Sequence, residues 1–171
     1  MGPGDIQWMK TGRGIIHSEM PAMSDGKLLG FQLWINMPAS MKMNKPKYDY
    51  IKSNQKTKFE DHDKKINLIA GKFKNVEGPI KGHNVEPIYF DIELKENKKI
   101  NIEVPETHNS FVYLLKGDLK IGSKNHEKIN DSTLILLEKG SNLEIFANKE
   151  SKFLFIAGKP IGEPIARGGP F

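Results

Sequence analysis

Apolar and polar residues alternate with a period of two through much of the second half of the chain. Phe90, Ile92 and Leu94 alternate with Tyr89, Asp91 and Glu93; Ile100, Ile102 and Val104 alternate with Asn101 and Glu103. Successive strand side chains point to opposite faces, so each segment predicts a strand with one dry and one wet face. Segments 111–115, 134–137 and 153–157 are instead nearly continuous apolar runs, the pattern of strands buried on both faces. Strands are predicted at 66–70, 88–94, 98–104, 110–116, 119–121, 132–137, 143–147 and 152–156. Turn-forming clusters separate them: Lys95-Glu96-Asn97-Lys98, Lys116-Gly117-Asp118, Lys139-Gly140-Ser141-Asn142 and Ala147-Asn148-Lys149-Glu150. Short strands at this spacing, with no long amphipathic helix, predict an all-β sandwich or barrel. Gly117 is expected at positive φ in a turn between two strands.

The first third reads differently. Short apolar runs bounded by glycines predict strands at 6–9, 14–18 and 31–36. Residues 38–65 are rich in Lys, Asn, Asp and Ser and lack strand periodicity. They are expected to form a linker with a short helical turn near 48–52.

Composition narrows the class. Hydrophobic residues make up 37% of the 171 and charged residues 27%, a globular balance. The formal charge is +5, but the lysines are scattered among Asn, Glu and Asp rather than interleaved with aromatics. A solvated lysine-rich surface fits better than a nucleic-acid groove. Cysteine is absent, which excludes disulfides, thiolate ligands and a cysteine nucleophile. No apolar run reaches the roughly 18 residues of a membrane span, and the N-terminus lacks the pattern of a secretory signal.

The densest chemistry lies at 4–21, Gly-Asp-Ile-Gln-Trp-Met-Lys-Thr-Gly-Arg-Gly-Ile-Ile-His-Ser-Glu-Met-Pro. On a strand, His17 and Glu19 would share one face, roughly 6.5–7 Å apart along the backbone. An imidazole and a carboxylate so placed suit a shared metal ion. Ser18 would face the other way, and there is no Ser-His-Asp logic. Gly12-Arg13-Gly14 is no phosphate loop, since no Gly-Lys-Ser/Thr and no helix follow.

This run resembles the signature of the pirin family of the cupin superfamily: Gly-Asp-x-Gln-Trp-Met, then Gly-x-Gly and His-Ser-Glu-Met-Pro. The resemblance continues through Gly30-Phe31-Gln32-Leu33-Trp34-Ile35-Asn36, Lys45-Pro46-Lys47-Tyr48, Ser110-Phe111-Val112-Tyr113 and the segment 158–171. It implies a cupin-type jelly-roll barrel complete within 66–158, plus the C-terminal strands of a second barrel. The implied organisation is 1–37 from an N-terminal cupin domain, 38–65 as linker and 66–171 as a C-terminal cupin-like barrel. The family pattern also implies Fe(II) held by four ligands, of which His17 and Glu19 match two. The His-x-His pair has no counterpart here, so the chain is expected to be shortened at both ends and its metal site incomplete.

The resemblance implies an iron oxygenase of the quercetin 2,3-dioxygenase type acting on a flavonol-like molecule. It equally implies a non-enzymatic co-regulator that binds transcription-factor-like proteins in cytoplasm or nucleus. A degenerate fragment that self-associates through exposed strand edges is the third reading. Gln7 and Gln32 are expected near the metal pocket. Trp8, Met9, Met20 and Trp34 are expected to pack as core, and Arg13 to lie in a solvated turn. His62, His83, His108 and His126 are expected in loops or on the surface. The second barrel is expected to lack metal, because Tyr113, Leu115 and Ile135 fill its ligand positions.

Overall fold

The computed structural model describes residues 1–20, 26, 28–122, 129, 131–166 and 168. The chain divides into two compact units, Met1–Ile6 with Ile51–Pro160 and Gln7–Tyr50 with Ile161–Phe171. Its strands in chain order are β1 (Ile6–Lys10), β2 (Lys47–Ile51), β3 (Thr57–Glu60), β4 (Lys64–Ala70), β5 (Lys72–Phe73), β6 (Val76–Glu77), β7 (Ile88–Leu94), β8 (Lys98–Glu103), β9 (Asn109–Ile121), β10 (Thr133–Leu137) and β11 (Asn142–Gly158). Among the described residues no helix is long and apolar enough to cross a membrane.

The larger unit is an antiparallel β barrel. Strands β10, β9, β11, β7, β4 and β3 lie side by side in that order, and β8 pairs with β11. The alternation read at β7 carries through: Ile88, Phe90, Ile92 and Leu94 are buried, while Tyr89, Asp91 and Glu93 are only partly so. Phe90, Phe153, Phe155, Ile66, Leu68, Ile92, Leu114 and Ile145 are fully enclosed. Each such side chain contributes roughly 1.5–3 kcal/mol on burial. Phe59, Phe73, Phe90 and Phe155 form a chain of tilted and edge-on rings at 5.1–6.1 Å.

Strands β9 and β11 depart from expectation. Segments 110–116 and 119–121 form one strand, as do 143–147 and 152–156. The glycine and asparagine clusters between them are bulges, not turns. The β9–β11 register shifts between Ala147 and Phe153, where the paired strands bend together. The early half of β11 pairs with β8, Ile145 opposite Ile100; the late half pairs with β7, Phe155 opposite Phe90. Gly117 has φ +117°, as expected, and a Cβ there would lie 2.7 Å from the Cα of Ser151. The Asp118 N–H donates to Ser151 Oγ (3.1 Å), whose hydroxyl donates to the Lys149 carbonyl (2.8 Å). The bulge is thus hydrogen-bonded across both strands.

His108 lies in the loop before β9, as expected, but is buried there rather than exposed. Its Nε2 lies 3.0 Å from the Glu86 carbonyl oxygen and its Nδ1 3.2 Å from Thr107 Oγ1. This fits the tautomer protonated at Nε2, with the threonine hydroxyl donating to Nδ1. It pins residue 86, whose φ is +44°. On the sheet face opposite the main core, the buried Asn67 donates to Asp91 Oδ2 at 3.1 Å. Burial, reinforced by the Asp91 charge, pushes the neighbouring Tyr89 hydroxyl up to about 12.

In the smaller unit β1 pairs with β2. The helical turn expected near 48–52 is therefore a strand. The region read as linker also holds 3-10 turns at Ala39–Met41 and Ser53–Gln55, and strand β3. Residues 14–18 and 31–36, expected as strands, carry no strand pairing. The Glu163 carboxylate accepts the Ala39 N–H at 2.9 Å.

Candidate metal site

Strand β1 leads into a tight turn at 11–14. The Gly14 N–H donates to the Thr11 carbonyl (2.9 Å) and the Arg13 N–H to the Asn44 carbonyl (3.0 Å). Gly12 (φ +52°) and Gly14 (φ +124°) supply the left-handed backbone, and a Cβ on Gly12 would collide with the Asn44 carbonyl group. After the turn, residues 15–18 line a cleft with Gln7 and Met9 of β1. Arg13 is exposed, in the solvated turn expected of it.

Beyond the turn, His17 Nε2 lies 3.9 Å from Glu19 Oε1, with the two side chains 43% and 51% exposed. Gln32 reaches Glu19 from the later extended segment. Its Nε2 donates to Oε1 at 3.0 Å and to Oε2 at 3.1 Å. His17 also lines a cleft of about 360 Å³ with Gln7, Met9, Ile15, Ile16, Ser18 and Tyr48. Ser18 thus reaches the same cleft as His17, contrary to the strict alternation expected. The segment is not a paired strand, so nothing enforces a pleat. Tyr48 was not anticipated at the site. The Tyr48–Asp49–Tyr50 alternation in β2 is the signal that could have shown it.

An imidazole nitrogen and a carboxylate oxygen suit a divalent transition metal. Two donors about 2.1 Å from one ion lie roughly 3 Å apart in cis and about 4.2 Å apart in trans, so the 3.9 Å separation makes His17 and Glu19 neighbours but leaves them about 1 Å wider than adjacent ligands of one ion. The set stops at two: among the described residues no group of three or more His, Cys, Asp or Glu side chains converges. His62 sits 2.9 Å from Asp63 in the β3–β4 turn, and His108 is committed to Glu86. His126 lies outside the described residues.

The expected packing of the aromatic and sulfur side chains holds for only part of the set. Trp8 and Met9 are half-buried on β1, whereas Trp34 is 79% and Met20 82% exposed. Phe31, Leu28, Leu29 and Ile16 are exposed as well.

Residues 89–171 match the Pirin C-terminal cupin domain and residues 1–35 match Pirin. A pirin-like protein of Caulobacter vibrioides is 34% identical over 173 residues, covering 100% of this chain and 62% of that protein. A Thermoplasma acidophilum protein named provisionally as a quercetin 2,3-dioxygenase is 33% identical over 190 residues, covering 99% of this chain and 72% of its own length. The crystal structure of quercetin 2,3-dioxygenase from Acinetobacter baumannii superposes with a TM-score of 0.78 at 25% identity, covering 98% of this chain and 60% of that one. The chain spans about three fifths of the length of the pirin-like relatives it matches. Family matches over 1–35 and 89–171, a β barrel most of whose strands lie in the second match, and one-third identity along the whole length together place this chain in the pirin family.

Proposed function

We propose that this chain is the metal-carrying part of a pirin-type oxygenase, with His17 and Glu19 holding Fe(II) and a flavonol-like aromatic molecule entering the adjoining cleft. The observation that carries the reading is the 3.9 Å separation of His17 Nε2 and Glu19 Oε1 at the cleft. Two matched regions, 1–35 and 89–171, support treating 1–37 and 66–171 as two modules, with the intervening 38–65 supplying β2 as the partner of β1 and β3 as the partner of β4. The remaining coordination positions fall to water or to donors outside the described residues. The work of this chain would be in the cytoplasm or nucleus.

When bound, Fe(II) supplies Lewis acidity and redox chemistry toward dioxygen. The chain's own residues define the rest. His17 presents a nitrogen lone pair and Glu19 a negative charge beside it. Met9, Ile15, Ile16 and Tyr48 give the cleft apolar and aromatic surface for a planar ligand, and Gln7 adds an amide able to hydrogen-bond a ligand hydroxyl or carbonyl.

A second reading has its own observation. Trp34, Phe31, Leu28 and Leu29 are all exposed along residues 28–34 in the smaller unit, and exposed apolar groups mark an interaction site where they form one contiguous patch. That favours a protein partner of the transcription-factor type, or a second copy meeting exposed strand edges, over catalysis. Oxygen uptake with quercetin separates the readings. The anaerobically reconstituted chain should consume oxygen, and His17→Ala and Glu19→Ala should not. Equal uptake by wild type and both variants would overturn the oxygenase reading.

A further inference from the structure

We infer that Gln32 is a positioning residue that makes Glu19 a one-oxygen metal ligand and so biases the site toward transition metals over calcium. The inference rests on the metal reading of His17 and Glu19 and deepens it.

The Gln32 Nε2 is nearly equidistant from the two carboxylate oxygens of Glu19, at 3.0 and 3.1 Å. A donor at equal distance from both oxygens occupies the bisector of the carboxylate. That is the position a cation takes when it is chelated by both oxygens at once. The assignment of nitrogen rather than oxygen to this position follows from charge. An amide carbonyl aimed at a carboxylate would repel it, whereas the NH2 group donates. With the chelating position filled, an ion can approach Glu19 only from the outer side of one oxygen. Oε1 is the oxygen that stands 3.9 Å from His17 Nε2, so it is the oxygen an ion shared with the imidazole would use.

Denticity bears on the choice of metal. Calcium takes six to eight oxygen ligands at about 2.3–2.6 Å and commonly uses a carboxylate through both oxygens. Iron, cobalt, nickel and zinc accept one carboxylate oxygen beside imidazole at shorter distance. Gln32 also limits the rotation of a side chain with three torsions, holding the carboxylate ready before an ion arrives. Loss of such an outer hydrogen bond typically weakens metal affinity by about 10–100-fold. Gln32 and Glu19 are both solvent-exposed, so replacing Gln32 does not disturb a packed core.

The test titrates Co(II) and Ca(II) separately into the full chain and into Gln32→Met and Gln32→Asn. The first keeps the length without a donor, and the second keeps the amide but shortens its reach. Both variants should bind Co(II) about 10–100-fold more weakly than wild type. Their Co(II) visible absorption bands should shift, and the ratio of Ca(II) to Co(II) affinity should rise. A structural role alone would not move that ratio. Unchanged Co(II) affinity, spectrum and selectivity in both variants would overturn the role of Gln32 while leaving His17 and Glu19 as ligands. A wild-type chain that takes up no Co(II) would overturn the metal reading and this inference with it.

Discussion

Replacing Gly117 by alanine adds a single carbon at the point where β9 and β11 bend together. Alanine must first adopt φ +117°, which costs roughly 1–3 kcal/mol for a residue with a Cβ. The new carbon would then stand 2.7 Å from both Cα and Cβ of Ser151, about 1 Å inside ordinary carbon contact distance. The obstacle includes β-strand backbone, not the end of a flexible chain, so the strands must separate; overpacking of this kind costs about 1–3 kcal/mol. Reduced freedom of the unfolded chain offsets about 0.4–1 kcal/mol. The net destabilisation is therefore about 1–6 kcal/mol, and the melting temperature should fall by about 2–20 °C for a chain of this length. Urea unfolding followed by far-UV circular dichroism reads it directly. Tryptophan fluorescence would not, because Trp8 and Trp34 both belong to the smaller unit. Gly140→Ala is the control: nothing lies within 4 Å of its added carbon and its φ is not in the left-handed region. Its effect should stay within about 0.5 kcal/mol. If Gly117→Ala matched wild type, or if the two variants cost the same, the bulge account would be wrong.

His108→Ala should destabilise the barrel by about 1–3 kcal/mol, because it leaves the Glu86 carbonyl without its imidazole donor; urea unfolding at pH 8 measures this. Asp63 is held at about 2, below the ordinary carboxylate value of 3.8, by its hydrogen bonds to His62 and then Lys98. A depressed carboxyl stabilises the fold above its unfolded value and loses that contribution as pH falls through its folded value. Asp63→Asn should therefore be less stable than wild type above about pH 4, with the gap closing toward pH 2 in a series of unfolding curves.

The strands most legible in the sequence are those whose alternation is settled by burial. At β7 the predicted bounds 88–94 coincide with the strand, because Phe90, Ile92 and Leu94 face the core while Asp91 and Glu93 cannot. The sequence does not separate the bulges in β9 and β11 from turns, because Lys-Gly-Asp and Asn-Lys-Glu serve both purposes locally. The partner strand decides between them, since Ser151 holds both halves of the bend. The burial of His108 was hidden because its acceptor is a backbone carbonyl 22 residues away. At the candidate site the spacing of His17 and Glu19 was legible, but the strand around them was not, since a ladder needs a neighbour that a single segment does not announce. Gln32 could be suspected from its polarity on an apolar run. Its hold on both oxygens of Glu19 depends on two segments meeting, which no local pattern encodes.

The most direct test of the account is the metal content of the chain itself. After anaerobic reconstitution with Fe(II) and removal of excess ion, elemental analysis should find about one iron per chain in wild type at saturation and a large loss in both His17→Ala and Glu19→Ala. Iron retained equally by all three proteins, or absent from wild type, would contradict the assignment of this imidazole and carboxylate as ligands.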